Sequence, residues 1–191
     1  PYDDPELYGD MISYMADYFL KLNARFLDKV QFDFGYFHED CCFNTGPFIS
    51  PDIYRQFYDR HYRRMINAFH DMGVPFLLLD SDGKLDDLIP CWLDSGFDII
   101  FPIEVGTWKA NPVELRKKHG KRLRMMGGVN KHVIPMGEAA IRAELEPLKP
   151  LVKEGGYIPF PDHRIPPDCS LEQFRTYLKI FKEVFGIPVD L

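Results

Sequence analysis

Asp80 and Asp82 flank a single serine at the end of an apolar run, Pro75-Phe76-Leu77-Leu78-Leu79, and Gly83 follows them. On an extended segment, side chains at i and i+2 face the same way, about 6.5 Å apart along the chain. Two carboxylates so placed repel unless a cation, a proton or a guanidinium lies between them. Oxygen ligands alone suit Mg or Ca, and an added imidazole admits Zn, Mn or Fe. His163 can supply that imidazole. It stands between Asp162 and Arg164, just past another strand-like segment, and the neighbouring acid could fix its tautomer. The spacing therefore predicts a metal group of Asp80, Asp82 and His163, with Glu39 or Glu104 as a candidate fourth member. The plainer account of Asp80-Ser81-Asp82-Gly83 is a turn whose acids bond nearby backbone.

Further reactive residues follow other strand-like segments. Glu39 and Asp40 lie past Phe37-His38, one a candidate general base or ligand and the other facing solvent. Glu104 precedes Val105-Gly106-Thr107-Trp108. Glu39 and Glu104 are taken as catalytic candidates, and Trp108 and Arg164 as substrate-binding ones. Asn130 reads more simply as a helix cap. Cys41-Cys42, Cys91 and Cys169 form no Cys-x-x-Cys pair and read as free thiols in a cytoplasmic protein.

The elements that must position these groups alternate between strand and helix. Strands are predicted at 32–37, 75–79, 97–102, 123–129 and 157–161. Asp4-Pro5-Glu6 opens a helix with Leu7, Met11, Met15, Tyr18, Leu22 and Phe26 at helical spacing. Ser50-Pro51-Asp52 opens a second, and Gly73 closes it. A third ends at Gly96, Asn111-Pro112 starts a fourth, and residues near 137–154 are helical with breaks at Pro147 and Pro150. Ser170-Leu171-Glu172-Gln173 is a capping box that opens the last. Such units imply parallel strands, in a doubly wound sheet or a barrel. No Gly-x-Gly-x-x-Gly follows a strand, which weakens the nucleotide-binding alternative. In a barrel the residues after all five strands converge on one rim, where active sites lie.

The 191 residues suffice for one buried domain, 1–191, and a net charge of -6 leaves no basic footprint for nucleic acid. No apolar run approaches the roughly 20 residues of a membrane span.

Several motifs in order carry a likeness. Asn44 through Pro51 with Tyr54, Phe57 and Tyr62, then Asp80-Ser81-Asp82-Gly83 with Leu88-Ile89-Pro90, resemble the uroporphyrinogen decarboxylase superfamily. So do Val113 through Gly120, Gly127 through Lys131, and Gly155-Gly156-Tyr157-Ile158 with Asp162 through Pro167. The resemblance implies a (β/α)8 barrel. Its decarboxylase members remove acetate carboxyls from a porphyrinogen without a cofactor. Its methyltransferase members use a zinc-bound thiol acceptor and a corrinoid methyl carrier, with zinc on a His-x-Cys-Gly motif and a later Cys. Asp80, Asp82 and Gly83 stand at that motif, and His163 stands near the later Cys, where the decarboxylases also carry a His.

An eight-stranded barrel typically takes about 250 residues, so the chain is expected to be its C-terminal portion, lacking the N-terminal strands. It is expected either to associate, with another chain or a second copy, or to be a piece of a larger protein. The expected activity is methyl transfer between a small donor and a corrinoid (cobalamin) on a partner protein, assisted by zinc or another divalent metal. The alternatives are a porphyrinogen carboxy-lyase and a catalytically incomplete fragment. Glu39, Asp80, Asp82 and Glu104 outnumber Arg164 and Lys131 on the expected rim, which disfavours a polycarboxylate porphyrinogen.

Overall fold

The computed structural model describes residues 1–27 and 29–188. The chain divides into two compact units, Pro1–Ile100 and Phe101–Leu191. The first holds α1 (Pro5–Leu27), β1 (Gly35–His38), the short strands β2 (Cys42–Phe43) and β3 (Gly46–Pro47), α2 (Pro51–Ile53), α3 (Asp59–Asp71), β4 (Leu77–Asp80) and α4 (Ile89–Ser95). A π-helical turn, Tyr54–Tyr58, joins α2 to α3. After β5 (Ile99–Ile103), the second unit holds α5 (Val105–Trp108), α6 (Pro112–His119), β6 (Arg124–Val129), α7 (Glu138–Leu145), α8 (Lys149–Glu154), β7 (Tyr157–Pro161) and α9 (Leu171–Phe185).

Among the described residues, the main sheet has five strands in the order β1-β4-β5-β6-β7. β1 runs parallel to β4, with Gly35 opposite Leu77 and His38 opposite Asp80. β6 runs parallel to β7, with Met125 opposite Tyr157 and Val129 opposite Pro161. This is an α/β fold with strands and helices in alternation, as the sequence predicts. Leu77, Leu78 and Leu79 are all buried, as expected of a strand covered on both faces. Ile66, Leu85, Leu88, Ile89 and Trp92 are buried in the same unit. The second unit buries Leu123, Met125, Val129, Ile134, Ile141, Leu145, Tyr177 and Ile180.

Two details depart from the sequence reading. β1 begins at Gly35 rather than near Phe32, because the ladder starts where Gly35 meets Leu77. A Cβ there would lie 2.6 Å from Leu77 Cδ2, so a glycine lets the two strands close. The second concerns α1. Its helix is as predicted, and the Asp4 carboxylate accepts the Leu7 amide at 3.0 Å. Its apolar residues at helical spacing are not buried, however: Leu7, Met11 and Phe26 stay more than half exposed. The contacts of α1 run through another line of residues. Tyr8 packs edge-on against Phe57 at 5.1 Å, Ala16 is buried, and Asp17 pairs with Arg64 at 2.7 Å.

The capping box forms as predicted: Ser170 Oγ accepts the Gln173 amide and the Gln173 side chain accepts the Ser170 amide. Ser170→Ala should therefore cost about 1 kcal/mol, read as a lowered urea midpoint at unchanged m-value. No helix among the described residues is long and apolar enough to cross a membrane.

Candidate functional site

In the first unit, β1 and β4 end side by side, and the Glu39 amide donates to the Asp80 carbonyl at 2.8 Å. This brings Tyr36, His38 and Asp80 together. Asp80 is buried, and its Oδ2 accepts the Tyr36 hydroxyl. His38 Nδ1 lies 3.4 Å from the same oxygen. A phenol and an imidazole thus offset the cost of burying this carboxylate. Ser81, fully buried, turns its hydroxyl to the Cys41 amide at 3.2 Å. Asp82 is half-buried. The loop after it is pinned by the Lys84 amide on the Phe43 carbonyl at 2.8 Å.

Glu39 stands in the wall of an apolar cavity of about 760 Å³, lined by residues of α1, β1 and α3. Burial against these side chains raises its pKa. A hydrogen bond from Tyr62 and the nearby His38 pull it part of the way back. Tyr62 is held by ring stacking on Tyr54 at 5.7 Å and Tyr58 at 6.3 Å, the two ends of the π-helical turn. Its hydroxyl is pushed well above the usual phenol range, by burial first and then by the Glu39 charge. Asp40 faces solvent, the outcome expected for one acid of the pair.

A carboxyl with a raised pKa in the folded state binds more protons there than when unfolded. Stability then falls as pH rises from the ordinary glutamate value of 4.5 through the folded value. Glu39→Gln should be more stable than wild type at pH 8, and the difference should vanish near pH 4. Urea titrations at the two pH values check this, and an equal gain at both would show that burial of the charge is not its cause.

In the second unit, Glu104 is buried at the end of β5. Asp162, which the sequence reading placed beside His163 as its possible orienting acid, is fully buried and engaged elsewhere. Its Oδ2 accepts the Gly106 amide at 2.7 Å and its Oδ1 the Lys131 amide at 3.1 Å. Its own amide donates to the Val129 carbonyl at 2.8 Å. Asp162 therefore ties the loops after β5 and β6 to the end of β7, a role that its place past Tyr157–Pro161 could have suggested. Asn130 is the expected cap, accepting the His132 amide at 3.0 Å. Trp108 is half-buried, and its indole N–H has no hydrogen-bond partner among the described residues. Arg164 is exposed and His163 half-buried.

Of the metal set predicted from sequence, Asp80 and Asp82 lie in the first unit and His163 in the second, and Asp80 is bonded to Tyr36 and His38. Within the second unit, a carboxylate oxygen of Glu104, expected as a catalytic group or a fourth ligand, and a ring nitrogen of His163 lie within 4.8 Å of one another. A carboxylate beside an imidazole suits Zn, Mn or Fe better than a purely soft metal.

The comparison with curated proteins returned no match. Among solved structures, a methyltransferase from Methanosarcina mazei superposes with a TM-score of 0.57 at 19% identity, over 78% of this chain and 42% of that one. The chain therefore spans less than half the length of that structure, and at this identity the likeness speaks to the fold. The family model of uroporphyrinogen decarboxylase (URO-D) matches residues 2–184, nearly the whole chain. The chain belongs to the uroporphyrinogen decarboxylase family.

Proposed function

We propose that this chain carries the C-terminal part of a (β/α)8 barrel that moves a methyl group between a small donor and a corrinoid on a partner protein, assisted by a divalent metal ion. The observation that carries this reading is the approach of Glu104 and His163 within the second unit, their ligand atoms within 4.8 Å of one another. The structural likeness to a methyltransferase supports the same branch of the family. The family's thiolate zinc site does not fit, because carboxylates stand at its first two positions. Harder ligands suit the residues present, with Glu104 and His163 as two of them and Asp82, the acid read from sequence, as the proposed third. When bound, a divalent ion there supplies Lewis acidity toward a donor or acceptor atom.

The remaining roles belong to the chain itself. Glu39, its pKa raised by burial and with Tyr62 beside it, holds or releases a proton at its carboxyl. The unpartnered indole N–H of Trp108 offers a donor to substrate, and Arg164 offers a cation to an anionic group. Asp162 keeps the Gly106 and Lys131 loops in place.

Elemental analysis of protein purified without a histidine tag tests the metal, and calorimetry with coproporphyrin tests the competing lyase reading. Near-stoichiometric divalent metal and no micromolar porphyrin binding are expected. Metal-free protein with micromolar porphyrin affinity would overturn the methyltransferase reading in favour of the carboxy-lyase.

A further inference from the structure

The cavity beside Glu39 lies wholly within the first unit. Aromatic rings reach it from each element that walls it: Tyr8 and Phe19 from α1, Tyr36 and Phe37 from β1, Tyr58 from the π-helical turn and Tyr62 from α3. Contacts among the walls hold it in shape. Tyr8 packs edge-on against Phe57, and its hydroxyl shares a hydrogen bond with that of Tyr58. Phe37 packs against Tyr62 at 6.2 Å and Phe69 at 5.7 Å. Lining residues such as Tyr62, Phe69 and Leu77 are buried, whereas Met11 and Phe34 stay more than half exposed. The cavity therefore has a closed floor and a mouth open to solvent between α1 and the segment before β1.

Charge decides which ligand such a space suits. Among the described residues that line it, Glu39 is the one acid, and no lysine or arginine stands with it. The two histidines of the lining supply little compensation. His38 Nδ1 lies 3.4 Å from the Asp80 carboxylate, and His61 Nε2 accepts the Arg60 Nε–H at 2.9 Å, which keeps that ring neutral. A carboxylate in an apolar wall is costly to leave without a counter-charge. An anionic ligand would add to that cost, and a neutral one would leave it standing. A cation offsets it, and aromatic rings attract a cation through their negative faces. At about 760 Å³ the cavity falls in the ~300–1,000 Å³ range of pockets that enclose small organic molecules. A bare metal ion would find one carboxylate and few other oxygens there, so the ligand that fits carries its charge on a hydrocarbon body.

We propose that this cavity binds an apolar organic cation, its ammonium group against the Glu39 carboxylate and its hydrocarbon body among the aromatic and methionine side chains of the walls. Glu39 acts here as a counter-ion. The site shares no residue with the Glu104 and His163 pair, and it stands whether or not a methyl group is transferred.

The test is calorimetry on the full chain at pH 8 with three molecules of one body: 4-phenylbutylamine as the cation, 4-phenylbutanol as the neutral form and 4-phenylbutyrate as the anion. The amine should bind about 10-fold more tightly than the alcohol, and the acid should bind most weakly. Glu39→Gln, which should fold at least as stably at this pH, should bring the amine down to the affinity of the alcohol and leave the alcohol unchanged. Glu104→Gln removes an acid of the other unit and should bind all three as wild type does. Circular dichroism checks that both variants are folded, and the wild-type ranking is a test in its own right. No binding of the amine, equal binding of all three molecules, or tightest binding of the acid would overturn the site. So would a cation preference that survives in Glu39→Gln or is lost in Glu104→Gln.

Discussion

Gly83→Ala should destabilise the first unit by about 3–5 kcal/mol, among the largest losses open to a single methyl group. Two causes act together. Gly83 has φ 90°, a conformation that L side chains rarely adopt, and holding alanine there costs about 1–3 kcal/mol. The new Cβ would also stand 2.6 Å from the Cys42 carbonyl oxygen and 2.8 Å from that of Phe43. Those atoms are backbone, so relief requires the Cys42–Phe43 strand to move, which adds about 1–3 kcal/mol. The Lys84 amide bond to Phe43 would go with it. The loss should appear as a lowered urea midpoint. A loss under about 1 kcal/mol would show that the loop yields freely.

How far this site could be read from sequence varied with how local its physics is. Ser170 through Gln173 was legible because a capping box is complete within four residues. Leu77–Asp80 was legible because a fully apolar run of that length suits a strand buried on both faces. The start of β1 was not, because it is set by Leu77, far along the chain, rather than by the alternation of Phe32, Asp33 and Phe34. The helix of α1 was legible, but not the direction of its apolar residues. Helical spacing says which side chains share a face and nothing about whether a neighbour covers it. β2 and β3, two residues each, carry too little pattern to register. At the candidate site, Glu104 and His163 were marked by residue type and by their place after strand-like segments. Tyr36 and His38, which engage Asp80, lie on another strand, and pairing between strands is invisible to spacing within one. Asp162 was undervalued because an acid beside a histidine invites a side-chain partner, whereas its oxygens bond backbone amides.

That difference between Asp80 and Asp82 leads to the prediction with the largest effect on binding. Asp82→Asn keeps the volume of the side chain and removes its charge. Under the proposed assignment, it removes one of three ligands, and apparent affinity for Zn2+ should fall about 100-fold or more, beyond the ~10–100-fold typical of second-shell changes. His163→Ala should do the same. Asp80→Asn should lose far less, because the Asp80 carboxylate accepts the Tyr36 hydroxyl and lies against His38. Since ligands must shed protons to bind a metal, wild-type affinity should weaken as pH falls. Competition between the protein and a chromophoric chelator measures all three variants on one scale. Unchanged circular dichroism confirms that each is folded. If Asp80→Asn lost as much affinity as Asp82→Asn, the metal would belong to the pair read from the spacing alone. If none of the three lost affinity, the carboxylate–imidazole group would hold no metal, and the methyl-transfer reading would lose the observation on which it rests.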